Sequence, residues 1–307
     1  MLNTAASILF RCCRHFKSCG VIINEHTLTV EGTRRHVETL ARHFEFVHPD
    51  EVARRLEKPS KRPFCLLTFD DGKKTNATLV APELQRLGVP AIFFVTTGFV
   101  GTAKPLWFDR YDAVLKTLGN VPRGLERETL KRLPFNMLEE RLDRFCAEHG
   151  VAVAADSEAL KPMSWDETRQ LHKSGFAIGS HGVRHAILTR ECVDMARAEI
   201  RESMARIALE IGSPCRSFAF PNGNHTAELA QYAVQCGAGL VVLTEPAWVK
   251  KGDPFWRLPR IQLHESSARR KILMKIALAG MEGVLANPDG TGRAYVLCRR
   301  MARRCKP

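Results

Sequence analysis

Thr68-Phe69-Asp70-Asp71-Gly72 places two carboxylates side by side at the end of an apolar run, residues 64–69. Adjacent carboxylates repel one another if both stay ionised and unpaired, so their company needs a reason. A bound cation supplies one: one aspartate ligates it while the other takes a proton from water. Asp-Gly is also a common turn dipeptide, and the pentapeptide alone fits a plain turn. Ser180-His181-Gly182-Val183-Arg184-His185 sets two imidazoles four residues apart. They can present nitrogens to one metal from a helical turn or from a tight loop. With eleven histidines in the chain, such a spacing also arises by chance. A third segment, Phe218-Ala219-Phe220-Pro221-Asn222-Gly223, ends in a turn whose glycine permits unusual backbone geometry. Taken together, the first two segments supply two imidazoles and one carboxylate, a three-ligand set that leaves a position open for water.

The elements around these segments alternate. The run 64–69 reads as a strand buried on both faces, and 76–87 as a helix closed by Gly88 and Pro90. Residues 91–95 read as the next strand, and 165–173 as a helix with Ser164 as N-cap. A short strand follows at 176–178. The longest helix covers 191–211, where Ile200, Met204, Ile207 and Ile211 form an apolar stripe. Residues 217–220, 227–236 and 240–243 read as strand, helix and strand. This alternation predicts parallel strands with crossover helices, in an open sheet or a closed barrel. Both candidate motifs then fall at C-terminal strand tips, where α/β proteins place their chemistry. Residues 103–161 break the rhythm: this stretch is rich in Arg, Glu and Leu, includes Trp107-Phe108, and reads as a helical insertion over the site or as a structural cap.

In this order and spacing, the three segments resemble the polysaccharide deacetylase family with the NodB-homology domain, carbohydrate esterase family four. Gly88-Val89-Pro90-Ala91 before Phe93-Phe94-Val95, and Ile178-Gly179-Ser180 before the histidines, match as well; the likeness covers residues 39–264. The resemblance implies an α/β fold, a distorted (β/α) barrel with fewer strands than eight. It implies Asp70 as general base, and Asp71, His181 and His185 as ligands of zinc, with cobalt or nickel as alternatives. The Asn222 amide would help hold an oxyanion, with Pro221, Gly223 and Trp107 as candidate substrate contacts. His264, in Ile261-Gln262-Leu263-His264, is the candidate acid, with His225 as its rival. Where many members carry an arginine two residues before the proline, this chain has Ala219; Arg216 is nearby in sequence. Gly182 stands where Ser or Thr usually follows the first histidine. Arg257-Leu258-Pro259-Arg260-Ile261 resembles the ending of one family branch.

The expected organisation is an N-terminal segment packed on the barrel (1–60), a deacetylase domain (61–265) with the helical insertion at 103–161, and a basic C-terminal helix and tail (266–307). The 45% hydrophobic content of the 307 residues fits a folded domain. The apolar stretch 5–10 is shorter than a secretory core, and the ten cysteines form no C-x-x-C pair, so a cytoplasmic protein with reduced thiols is expected. Asn76-Ala77-Thr78 and Asn224-His225-Thr226 are then chance matches to glycosylation acceptors. The net charge of +13 favours polyanionic partners or a solvated basic tail. The basic and apolar mixture of 268–278 suits an anionic membrane face and a lipid-linked glycan met there; no specific nucleic acid is expected. The function expected is removal of acetyl groups from the N-acetylated sugars of a polysaccharide or glycolipid. Hydrolysis of other C–N bonds, and a silent glycan-binding relative, are the alternatives.

Overall fold

The computed structural model describes residues 18–58, 60–119, 124–151 and 160–285. The leader-like stretch 5–10 and the basic cluster 299–306 lie outside them. In chain order the first elements are β1 (Cys19–Glu25), α1 (Val30–Ala41), β2 (Glu45–Phe46), α2 (Val52–Glu57), β3 (Phe64–Phe69), α3 (Ala81–Arg86) and β4 (Ala91–Val95). Three helices of the insertion follow: α4 (Trp107–Leu118), α5 (Arg127–Leu130) and α6 (Phe135–Glu148). Then come α7 (Trp165–Lys173), β5 (Ala177–Ser180), α8 (Val193–Ile211), β6 (Ser217–Ala219), α9 (Ala227–Gln235) and β7 (Leu240–Val242). The chain continues through β8 (Val249–Lys250), β9 (Ile261–Gln262) and α10 (Arg269–Leu285).

The strands lie in the order β7-β6-β5-β4-β3-β1, each parallel to its neighbour, with β9 parallel to β1. β8 runs antiparallel to the start of β1, and β2 pairs with the start of β3. Leu258 bridges to Val242 of β7, while Ile261 and Gln262 pair with Ile23 and Asn24 of β1. Residues 258–262 therefore span the gap between the two ends of the sheet and close a distorted barrel with fewer than eight staves. The stretch before residue 61 is more than a segment packed on that barrel, because β1 is one of its staves, paired with β3 and β9.

Two apolar layers hold the barrel. Ile22, Phe64, Leu66, Ile92, Phe94, Val242 and Leu258 cluster on one side of the sheet. Ile23, Leu67, Phe69, Phe93, Ile200 and Ile207 cluster on the helix side. Successive strand residues alternate between faces, and parallel strands covered on both faces read as unbroken apolar runs. Gly20 and Gly179 have a packing reason: a Cβ at either would meet a phenylalanine ring, Phe64 or Phe94, at 2.4 Å.

The expected helix over 76–87 is two pieces, a π-type turn at Asn76–Val80 followed by α3, where Pro82 falls in the first turn. α7 begins as read: Ser164 accepts from the Glu167 N–H and Glu167 reaches back to the Ser164 N–H, a full capping box.

Candidate active site

β3, β5 and β6 all end at one rim of the barrel, and the segment after each strand holds a non-glycine residue with left-handed backbone. Asp71 (φ 75°), His185 (φ 60°) and Asn222 (φ 57°) are the non-glycine residues with positive φ among those described. Such a conformation is uncommon outside glycine and concentrates at functional sites. All three belong to the motifs picked out by residue type.

Asp70, Asp71, Trp107, Phe108, His181, His185, Asn222 and His264 line one cavity of about 600 Å³ at this rim. Pro221 and Gly223 do not line it; they shape the turn, in which the Gly223 N–H donates to the Phe220 carbonyl (2.9 Å) and leaves the Asn222 N–H outside that bond. His225 does not line the cavity either, and packs on Phe220. His264 is exposed at the mouth, where burial, Lys275, His26 and Lys271 lower its pKa below the usual histidine value.

Asp71, His181 and His185 bring one ligand atom each to within 4.8 Å of one another. The imidazole Nε2 atoms of His181 and His185 lie 3.7 and 3.4 Å from Asp71 Oδ1. That Oδ1 is buried and has no hydrogen-bond partner among the described residues. His181 Nδ1 is engaged with the Ala219 carbonyl at 2.8 Å, which fixes the ring and frees Nε2 for a cation. Burial pulls the His181 pKa down to about 4, so the ring is neutral at pH 7, the form that ligates metal. Burial by itself would raise Asp71, but His26, His185 and Lys73 outweigh it and hold the carboxyl well below the usual carboxylate range. A carboxylate and two imidazoles, buried and converging, fit a divalent cation such as zinc.

The histidines converge from a loop, and that loop is pinned. The His181 N–H donates to Val95 O (2.9 Å), while Gly182 O and Val183 O accept from Thr97 and Gly98. Buried Glu199 accepts from the N–H groups of Val183 (2.7 Å) and Arg184 (2.9 Å) and from Arg184 Nε (2.6 Å). The insertion adds a wall: Phe108 packs edge-on to His185 with centroids 5.0 Å apart, and Lys73 pairs with Asp109.

Asp70 stands beside this trio in a different bond network. Arg260, fully buried, donates Nη1 to Asp70 Oδ1 (2.7 Å) and Nη2 to Oδ2 (2.8 Å), a bidentate pair. Its Nη1 also donates to Thr68 Oγ1 and its Nε to Leu243 O. Burial would raise Asp70, yet Arg260 and His181 keep its pKa below the ordinary value. Arg216 makes no such contact; it lines a separate cavity with His48 and His172. The arginine absent at Ala219 is thus supplied from the closing segment. Reading by residue type gave Arg260 no role, although a lone arginine between Leu258 and Ile261 at a strand start was the available signal. Asn24, Glu25 and His26, which also line the cavity, were not singled out either.

Comparison with known proteins agrees with this geometry. The sequence profile described as polysaccharide deacetylase matches residues 57–241, more than half of the chain. A sequence comparison with curated proteins gave no match. Among solved structures, the chain is similar to the deacetylase PplD of Streptococcus pyogenes in complex with acetate (TM-score 0.58, 16% identity, 84% of this chain and 98% of that one). It is similar to IcaB from Ammonifex degensii (TM-score 0.57, 16% identity, 85% and 97%). A de-N-acetylase from Aggregatibacter actinomycetemcomitans is a third (TM-score 0.54, 15% identity, 83% and 98%). At these identities the likeness is one of fold.

Proposed function

Because the chain belongs to the polysaccharide deacetylase family, hydrolases of carbon–nitrogen bonds other than peptide bonds, we propose that it removes acetyl groups from N-acetylated sugars of a polysaccharide or glycolipid. One observation carries the reading: an ionised aspartate clamped by a buried arginine stands next to a three-residue cation set in the same cleft.

Asp71, His181 and His185 would hold the divalent cation, zinc first among the candidates. When bound, such an ion polarises a carbonyl and lowers the pKa of water toward about 7. Asp70 accepts the proton of the attacking water at a carboxylate oxygen. Arg260 fixes that carboxylate in place and keeps it ionised, so it is ready at neutral pH. The Asn222 N–H, free of the turn's own bond, donates to the oxygen that gains charge. His264, exposed at the mouth of the cleft, is the candidate donor to the leaving amine. Trp107 and Phe108 supply an apolar part of the cleft's lining.

A lipid-linked substrate, met on the cytoplasmic face of a membrane, extends this reading. α10 carries Arg270, Lys271, Met274 (43% exposed) and Leu278 (40% exposed) on its solvent side, while Ile272 and Ile276 are buried. Flotation with anionic vesicles tests it, and binding insensitive to salt, or none, removes it.

The central experiment assays metal content and acetate release from acetylated glycans. Asp70→Asn should keep the metal and lose roughly 10²–10⁴-fold in kcat, the usual worth of a general base. Full turnover by Asp70→Asn, or by metal-stripped protein, would refute the reading. Release of some other acyl or amine product would leave the hydrolase and change its substrate.

A further inference from the structure

The strand that sequence reading passed over ends inside the cleft. Asn24 and Glu25, the last two residues of β1, are 1% and 2% exposed, and both line the cavity that holds Asp70 and the cation set. Each carries a buried oxygen, Asn24 Oδ1 and Glu25 Oε2, with no hydrogen-bond partner among the described residues. Buried acceptors are nearly always paired, and leaving one unpaired is costly, so two at one strand end ask for donors from outside the chain.

Their placement is fixed from several sides. Asn24 is in register with Thr68, which puts its side chain on the same sheet face as the hydroxyl that receives Arg260. Glu25 lies on the opposite face, where its Oε1 is bonded to His36 Nδ1 of α1 at 2.6 Å. That contact orients the carboxyl from behind and leaves Oε2 as the unused atom. The Glu25 carbonyl accepts from the Asp70 N–H at 2.9 Å, so this strand end sits one backbone hydrogen bond from the base. Neighbouring strand residues point to opposite faces, and the pair therefore flanks the tip of β1 rather than crowding one side of it.

We propose that the tip of β1 is a sugar-recognition subsite, in which Asn24 and Glu25 accept hydrogen bonds from ring hydroxyls of the residue whose acetamido group faces Asp70. The ligand chemistry follows from the atoms: two acceptors without donors select a donor-rich face, such as that of a polyol, and give nothing to an acyl group lacking hydroxyls. This subsite rests on the deacetylase reading for its orientation, though its binding can be measured apart from turnover.

The test uses zinc-loaded Asp70→Asn protein, so that substrate is bound and not consumed. Calorimetric titration with an N-acetylhexosamine oligosaccharide is compared with its monodeoxy analogues. Adding Asn24→Ala or Glu25→Gln should weaken the parent sugar roughly tenfold, within the range of a lost hydrogen bond to a buried group. The same substitution should cost little for the one deoxy analogue that lacks its partner hydroxyl. Equal losses for the parent and every analogue would mark a merely structural role and overturn the subsite, as would unchanged affinity or no sugar binding at all. Glu25→Gln keeps the shape and a partner for His36, and melting curves with bound zinc counted verify that each variant is folded. Absence of acetate release by the unsubstituted enzyme would count against the deacetylase reading alone, since the binding comparison does not depend on it.

Discussion

Asp70 and Asp71 are consecutive, equally buried and both held below the usual carboxylate pKa, yet their surroundings differ in kind. Both oxygens of Asp70 are taken by one guanidinium. Asp71 faces two imidazoles at 3.4 and 3.7 Å and keeps an oxygen that nothing in the described fold satisfies. Folding alone satisfies the Asp70 carboxylate, whereas the Asp71 oxygen is left for a donor or cation that the described residues do not supply. Residues side by side in the chain are thus stabilised by different partners and should respond to different perturbations.

The largest effect should come from breaking the completed half. Arg260→Met leaves the Asp70 carboxylate buried without its partner, and such a loss costs about 3–5 kcal/mol. Urea unfolding should show it, and adding Asp70→Asn should recover most of the stability without restoring turnover. Simple additivity of the two losses would mean that Arg260 supports the barrel independently of Asp70.

The ligand-dependent half should respond to metal. Zinc at a hundred times its dissociation constant adds about 2.7 kcal/mol, roughly 4 °C in Tm for a chain of 307 residues. Asp71→Ala should abolish that shift and Asp70→Asn should keep it. A reversed pattern in thermal melts exchanges the two roles.

Acid should separate the halves next. In metal-free protein the folded His181 pKa is about 4, against about 6.5 in the unfolded chain. Between those values the unfolded chain binds more protons, so stability is unaffected above pH 6.5 and falls as pH drops toward 4. The slope from this one group is at most about 1.4 kcal/mol per pH unit. Asp70 and Asp71, with lowered pKa values, add their losses at lower pH, as each passes below its unfolded value near 3.9. Saturating zinc should raise the whole curve and leave the His181 slope in place, because the bound imidazole also carries no proton, and His181→Gln should remove it; urea midpoints at pH 7, 5.5 and 4.5 check both.

The smallest effect serves as the control. Ser164→Ala removes one half of the α7 capping box and should cost about 1 kcal/mol. Zinc affinity and kcat/KM should stay unchanged, since neither half of the site touches that cap. A loss of metal binding would show that the site is coupled to distant helix stability.

How much of this could be read in the sequence depends on distance along the chain. Asp70 with Asp71, and His181 with His185, sit within short motifs, and their backbone alternation with helices predicted strand tips. The α7 cap was legible for the same reason, because donor and acceptor are three residues apart. Arg260 was written out in the sequence but its partner lies 190 positions away, and no local pattern encodes that meeting. Arg216, the nearer arginine, was the natural but wrong place to look. β1 went unread because residues 19–23 resemble any short apolar run, and only the pairing with β3 and β9 shows it to be a stave. The left-handed Asp71 and Asn222 were equally hidden: both residue types tolerate that conformation, and neither requires it.

The closing segment also sets an order in time. Arg260 opens the last stave to be synthesised among the described residues, after Asp70, Asp71, His181 and His185 have all been made. At roughly 5–20 residues per second, the 190 positions from Asp70 to Arg260 take on the order of 10–40 s to synthesise. Throughout that interval Asp70 has no guanidinium to hold it, and the barrel has an open seam between β7 and β1. The Asp70 carboxylate therefore gains its partner only when the seam of the fold closes.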